Sequence, residues 1–296
     1  MTQLVLLMMV LALGNPGANK DDTNYETAHL ERRLKVVKVS EKISIDGKLD
    51  EPGWAQSPTA TDFIQTEPKE GEPSVERTEV HVLYDSQNLY FGVHAHDTEI
   101  AHVVISDLKK DFASDANDTI EIVLDTFHDE RNGYIFSTNA AGAKADSQMS
   151  NEGRETNSSW DGVWYVKTSV VDDGWIAEIA IPFKTLKFRE SDTQTWGINF
   201  HRNLRSGQRN EDSFWSPLPR IYNLNRVSLA GTLEGLEGIQ PGSNVRLKPY
   251  LSSSLAQNGA TGVRKGEGDF GFDAKYGITS GLTWDFTYNT DFSQVE

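Results

Sequence analysis

A succession of short segments rich in β-branched and aromatic residues, each closed by a cluster of turn-forming residues, constrains this chain more than any other feature. The segments are Leu34–Ile45, Glu76–Tyr84, Leu89–Asp97, Thr119–Asp125, Tyr134–Asn139, Trp164–Val171, Trp175–Ile181, Trp196–Arg205 and Ser228–Leu233. Asp85-Ser86-Gln87-Asn88, Asp129–Gly133 and Asp172-Asp173-Gly174 lie between them as hairpin connections. Only brief helical turns are expected, at Asp50–Ala55 and Pro182–Phe188. Many strands at this spacing with almost no helix predict an all-β chain. The expected architecture is a β-sandwich of immunoglobulin-like or jelly-roll type.

The two ends read differently from the middle. Leu4–Leu13 is an unbroken apolar run, too short to span a bilayer, and Ala12-Leu13-Gly14 offers small–x–small spacing. Residues 1–18 are therefore expected to be an export signal peptide, and Asn15–Glu31 a loose polar stretch. Ile239–Asn244 reads as a linker. Beyond it Phe270, Phe272, Ala274, Tyr276 and Ile278, then Leu282, Trp284, Phe286 and Tyr288, alternate with polar residues. One aromatic and one polar face over strands of about ten residues is the dyad pattern of an outer-membrane β-barrel. So few strands cannot close a barrel, so residues 241–296 are expected to be the truncated start of one.

Composition excludes whole classes. A formal charge of -16 repels phosphate backbones, and no basic stripe offsets it, so nucleic acid is excluded as a partner. The absence of cysteine removes disulfides, zinc–thiolate sites and iron–sulfur clusters. The 44 Asp+Glu residues are enough hard oxygen donors to make structural Ca²⁺ a candidate cofactor.

Several residue groups have chemical potential. Ile45-Asp46-Gly47 with Asp50-Glu51 ends a strand and starts a short helix, with Asp50 as the expected N-cap and Trp54 as a core anchor. In Thr119–Asp125, Glu121 points away from the apolar row of Ile120, Ile122 and Leu124. Glu121 and Asp125 would lie roughly 13 Å apart along one strand, beyond the roughly 5–9.5 Å of a glycosidase acid pair. A hydroxyl acceptor or cation ligand is the better role for Glu121. His94 and His96 share a strand face, with His81 on the strand before. Three imidazoles suit Zn²⁺, but the sequence names no carboxylate to join them, and a solvated face is the preferred reading. No nucleophile elbow or zinc-protease helix motif occurs, and Gly266–Gly271 fits G-x-G-x-x-G but precedes a strand.

In this order, the blocks resemble the family 9 carbohydrate-binding module. The resemblance rests on Ile45-Asp46-Gly47-x-x-Asp50-Glu51-x-x-Trp54, Val80-x-Val82-Leu83-Tyr84-Asp85-x-x-x-Leu89-Tyr90-Phe91 and Asp97. It continues through Asp118-Thr119-Ile120-Glu121-Ile122-x-Leu124-Asp125, Gly174-Trp175-x-x-Glu178-x-x-Ile181-Pro182 and Trp196-Gly197-x-Asn199. It implies a sugar-binding sandwich over residues 34–235, often with structural Ca²⁺. The segment from Trp284 to Glu296 resembles the opening of the barrel region of DUF5916-type outer-membrane proteins. Carried over by position, Glu121 would accept hydrogen bonds from sugar hydroxyls, and His201 stands where the family has an amide. Asp46, Asp50 and Asp97 would be the cation ligands. Sugar-binding members clamp the ring between two tryptophans. Asp115 stands at one of those positions, and Arg220, Ile221 and Tyr222 are nearest the other. Ser137 replaces an expected guanidinium, and with the tryptophan clamp missing, other aromatics (Trp160, Trp164, Trp215 and Tyr222) would have to supply the platform.

The expectation is a non-catalytic domain binding an oligosaccharide or polysaccharide. It would belong to an exported protein at the outer membrane or periplasmic face of a Gram-negative envelope, tied to polysaccharide catabolism. The alternatives are an interaction domain that has lost sugar binding, or part of a membrane-associated O-glycosyl hydrolase.

Overall fold

A computed structural model describes residues 23–241, 245–257, 264–279 and 282–289; the expected signal peptide lies outside them. Among the described residues the chain forms three sheets. The first has the order β1 (Arg33–Lys35), β15 (Gly231–Glu237), β13 (Thr193–Ser206), β7 (Thr119–Asp125), β8 (Gly133–Asn139), β9 (Lys144–Ser150), β10 (Glu155–Asn157). Beyond its Trp196–Asn199 stretch, β13 also pairs with β14 (Arg209–Phe214), which pairs with β4 (Ile64–Glu67). The second sheet has the order β11 (Tyr165–Val171), β12 (Gly174–Pro182), β6 (Asn88–His96), β5 (Thr78–Tyr84), β2 (Val37–Lys38), with β3 (Thr59–Ala60) beside β5. A sandwich is the result, as the sequence predicts.

Period-two patterning sets the layers. Ile120, Ile122 and Leu124 of β7 and Ile198 and Phe200 of β13 bury into the same core as Leu89, Phe91, Val93 and Ala95 of β6. Phe91 and Phe200 meet edge-to-face across the sheets, ring centroids 6.2 Å apart. Near one end, Asp118 joins the layers. Its Oδ1 accepts from Trp175 Nε1 at 2.8 Å and lies 2.7 Å from Arg202 Nη2, while Oδ2 accepts from the Arg205 backbone N–H at 3.1 Å. The Arg202 guanidinium also lies over the Trp175 ring, 5.2 Å from its centroid.

The remaining side chains of each strand face outward. On the second sheet, part of that outer face is covered by the chain between Val37 and Trp54. Ile43 and Trp54 pack there on Leu83, Tyr90 and Ala180. Gly92 makes this possible, because a Cβ there would approach Trp54 Cε3 to 2.8 Å and Leu49 Cδ2 to 2.7 Å. Glu178, fully buried, pins the turn above: its Oε2 accepts from the backbone N–H groups of Asp46, Gly47 and Lys48 at 2.8, 2.7 and 3.2 Å.

Several expectations are corrected. The single strand expected at Leu34–Ile45 is two short pieces, because the chain crosses from β1 in the first sheet to β2 in the second before turning onto the outer face. The loose stretch before Glu31 holds a helix, α1 (Tyr25–Glu31), whose Glu26 N–H is capped by the Asn24 side chain at 3.1 Å. Asp50 does not cap the next helix, α2 (Pro52–Gln56). Glu51 occupies that position, accepting from Ser44 N–H at 2.8 Å and Trp54 Nε1 at 3.0 Å. The Pro182–Phe188 turn is a single 3-10 turn at Phe183–Thr185.

The third sheet is antiparallel, β16 (Val245–Gln257), β17 (Arg264–Thr279) and β18 (Leu282–Tyr288), and is open among the described residues. Phe272 lies across from Tyr288, their centroids 5.9 Å apart, and 5.8 Å from Phe286. Phe270, Trp284, Phe286 and Tyr288 are exposed. The side chains of Tyr276, Ile278 and Leu282, part of the expected aromatic face, lie outside the described residues.

Candidate functional site

The outer face of the first sheet bears a cleft of about 510 Å³ with Glu121, Ser137, His201, Asn203, Arg205 and Asp212 among its lining residues. Strand register assembles it. Glu121 of β7 lies directly between Ser137 of β8 and His201 of β13, and the β13–β14 hairpin sets Asp212 across from Asn203. β7, β8 and β13 turn their opposite faces into the core, so the polar side chains of Glu121, Ser137 and His201 have only the cleft to occupy.

The polar groups form one connected row. Ser137 Oγ donates to Glu121 Oε1 at 2.8 Å, and Glu121 Oε2 lies 2.7 Å from His201 Nδ1. His201 Nε2 is 3.1 Å from Asp212 Oδ1, and the Arg205 guanidinium donates to both Asp212 oxygens at 3.2 and 3.1 Å. Phe214 stacks on the His201 ring, centroids 4.3 Å apart and planes within 8°. Burial works against a charged imidazole, but hydrogen bonds to Asp212 and Glu121, and their charges, raise His201 to about 9. Burial likewise opposes charge on Glu121 and Asp212, yet the His201 contact prevails and holds both below the usual carboxylate range. At neutral pH the row therefore alternates carboxylate, imidazolium, carboxylate, guanidinium, and its charges balance. Asn203 donates through Nδ2 to the Ser114 carbonyl at 2.9 Å, while its buried Oδ1 has no partner among the described residues.

The other sequence candidates fall elsewhere. Trp160 packs with Tyr134 and Phe136, centroids 5.1 and 5.9 Å away, on the core side of β8, opposite to Ser137. Tyr222 stands one residue outside the lining run Asn223-Leu224-Asn225, its ring capped by the Arg226 guanidinium at 4.6 Å. Asp115 does line the cleft, where the resemblance expects tryptophan. Phe112 is the aromatic among the lining residues, and it is buried.

Asp46, Asp50 and Asp97 are not gathered into one cation site. Asp46 accepts from the Lys48 N–H at 3.1 Å in a turn whose own N–H groups are taken by Glu178. Asp97 is held by Arg209, which also binds Glu76, and accepts from Glu99 N–H at 2.7 Å. The donor atoms of the three carboxylates form no common cluster among the described residues, and the Asp97 Oδ2 atom is buried without a hydrogen-bond partner.

Asp212, Arg205 and the Phe214 stack were not legible in the sequence. Arg209–Phe214 carries mostly polar residues and shows no strand periodicity. The tight turn at Gly207, with φ of +61°, was the available signal that the chain doubles back beside His201.

A sandwich whose polar cleft is built on the outer face of one sheet defines a ligand-binding β-sandwich domain. The chain belongs to the carbohydrate family 9 binding domain-like family, whose model matches residues 45–218. Residues 241–296 match a domain of unknown function, DUF5916. Among solved structures, the chain is similar to a family 9 carbohydrate-binding module from Caldicellulosiruptor kristjanssonii in complex with cellotriose. The identity is 17%, the TM-score 0.50, and the match covers 72% of this chain and 95% of that one. It is also similar to a protein from Bacteroides uniformis ATCC 8492 assigned provisionally to carbohydrate binding. There the identity is 14%, the TM-score 0.55, and coverage 71% of this chain and 99% of that one. At such identities the likeness shows the fold. No curated protein matches the chain.

Proposed function

We propose that the sandwich binds a neutral oligosaccharide or polysaccharide, without turnover, in the cleft built around Glu121. The observation that carries this reading is the charge-balanced row from Ser137 to Arg205, held rigid by strand pairing and the Phe214 stack. Fixed acceptors and donors of both signs suit hydroxyl groups, each of which donates and accepts. An anionic ligand would also meet Asp111, Asp115 and Asp146 on the lining of the same cleft. Family membership and the cellotriose complex of the C. kristjanssonii neighbour support the same ligand class. The depressed Glu121 and Asp212 carboxylates favour binding over glycoside hydrolysis, because a general acid must keep its proton near neutrality. For the whole chain we propose export to a Gram-negative envelope, with residues 241–296 leading toward an outer-membrane barrel. The apolar run Leu4–Leu13 and the exposed aromatics of β17 and β18 support that placement.

The test is calorimetric titration of the full chain with mono- and oligosaccharides. Binding is expected, with no product formed, and Glu121→Gln should weaken it by about 1–3 kcal/mol, the worth of a charge-assisted hydrogen bond. Unchanged affinity in that variant removes the ligand from this cleft. A second reading is favoured by Asp115 standing in place of a platform tryptophan: a domain that keeps the fold and has lost sugar binding. Silence across the sugar panel, from a folded chain, would establish it.

A further inference from the structure

The opposite outer face of the sandwich, on the second sheet, carries a separate cluster. His94 and His96 are two apart on β6 and therefore share a face. Register sets Glu79 of β5 directly across from His94, and Gly174 of β12 directly across from His96. Asp173, in the turn before Gly174, bends over both rings. His94 Nε2 lies 3.3 Å from Asp173 Oδ1, and His96 Nδ1 lies 3.2 Å from Asp173 Oδ2. On the other side, His96 Nε2 lies 3.2 Å from Glu79 Oε2. The two imidazoles are stacked, centroids 3.7 Å apart. One donor atom each from Glu79, His94 and His96 falls within 4.8 Å of the others, and this is the one such group among the described residues.

We infer that Glu79, His94 and His96 form a zinc site, independent of the sugar cleft, on the outer face of the β5–β6 hairpin, with Asp173 of the β11–β12 turn holding both rings in place. Two imidazole nitrogens and one carboxylate oxygen match the three protein ligands of an open zinc site, which leaves the fourth position to water. Calcium and magnesium take oxygen donors and are poorly served by imidazole. The site is reachable. Gly174 places no side chain across from His96, and the Asp173 carboxylate is mostly exposed. His81 does not belong to it: it lies across from Gly92, and its Nδ1 is 3.3 Å from the Ser57 carbonyl. Arg77 is the competing cation, 2.5 Å from Glu79 Oε1.

The experiment is titration of the metal-stripped full chain with zinc chloride. One zinc per chain is expected, with a rise in melting temperature. His94→Asn and His96→Asn should each weaken binding by at least roughly 10–100-fold, the scale on which loss of even an outer-shell partner of a metal ligand acts, while Glu121→Gln and His81→Ala leave it unchanged. Arg77→Gln should strengthen it. Zinc affinity that survives both histidine substitutions would overturn the inference, and so would the absence of saturable binding. X-ray absorption at the zinc edge, measured on the unsubstituted chain, tests the ligand set without requiring any variant to fold. Two imidazoles in the first shell support the site, and a shell of oxygen alone refutes it.

Discussion

On the first sheet a lone imidazole, His201, sits between two carboxylates and lies flat on Phe214. On the second sheet two imidazoles lie on each other, and the carboxylates reach them from the rim. The residue types are the same, and the neighbours decide the chemistry. With an acid on each nitrogen, His201 is raised to about 9 and stays charged, so the row is internally satisfied and presents fixed dipoles. His94 is lowered, first by burial and then by the charge of His96 beside it, against the pull of Asp173. One sandwich thus carries a face suited to hydroxyl groups and a face suited to a cation, and the core between them lets each be altered alone.

The largest expected effect strikes both faces at once. Asp118→Ala leaves Arg202 buried without its counter-charge and Trp175 Nε1 without its acceptor, which should cost about 3–5 kcal/mol. Chemical denaturation checks this, and a loss below about 1 kcal/mol would mean that the layers are not joined through this carboxylate. Glu178→Gln should cost about 1–3 kcal/mol, because a neutral amide replaces a charged acceptor for the Asp46–Lys48 turn. That change loosens the cover of the second sheet, so sugar affinity on the first should not move. A joint loss of stability and sugar binding would show the faces to be coupled.

The pH response sharpens the contrast further. The folded His201 value of about 9 exceeds the ordinary imidazole value of about 6.5. Its ion pairs therefore contribute fully below about pH 6.5, and that contribution is lost as pH rises through about 9. Glu121 and Asp212 act in the opposite sense. Their contribution is present above the ordinary carboxylate range and lost as pH falls through their depressed folded values. Denaturation midpoints should fall on the alkaline side in the unsubstituted chain and stay flat in His201→Gln over the same range. Parallel curves would remove the imidazolium from the account. The smallest effect belongs to His81→Ala, expected to change stability by about 0.5 kcal/mol or less, since the ring makes one long contact.

Where each strand buries one face on the core, its period-two pattern was legible. Thr119–Asp125 was readable to the residue, and so was the pairing that sets His81 across from Gly92. Where strands are polar on both faces, or too short to show a period, the pattern fell silent. Lys144–Ser150 and Arg209–Phe214 went unseen for that reason. The same silence divided the two candidate sites. Glu121 and His201 stand on strands with a clear apolar row, but Asp212 comes from a polar hairpin arm. On the other face the histidine pair was evident, yet its carboxylates are a cross-strand neighbour and a turn residue that no linear spacing connects to it. Trp160 illustrates the converse. An aromatic among polar neighbours resembles a ligand platform in the sequence, but the fold spends it on Tyr134 and Phe136.

The pairing of β1 with β15 bears on how the module would carry load. These strands run parallel, Arg33 beside Thr232 and Lys35 beside Glu234, so the chain enters at one end of the ribbon and leaves at the other. A pull on the flanking segments would slide the two strands along each other, loading their hydrogen bonds together, where an antiparallel hairpin pulled from its open end would unzip one bond at a time. The short ribbon is therefore a shear latch. An unfolding force in single-molecule stretching no higher than that of a hairpin peeled from its end would contradict it. A domain gripping an insoluble polymer while anchored through its C-terminal side would meet tension in this direction, at the edge strand best placed to resist it.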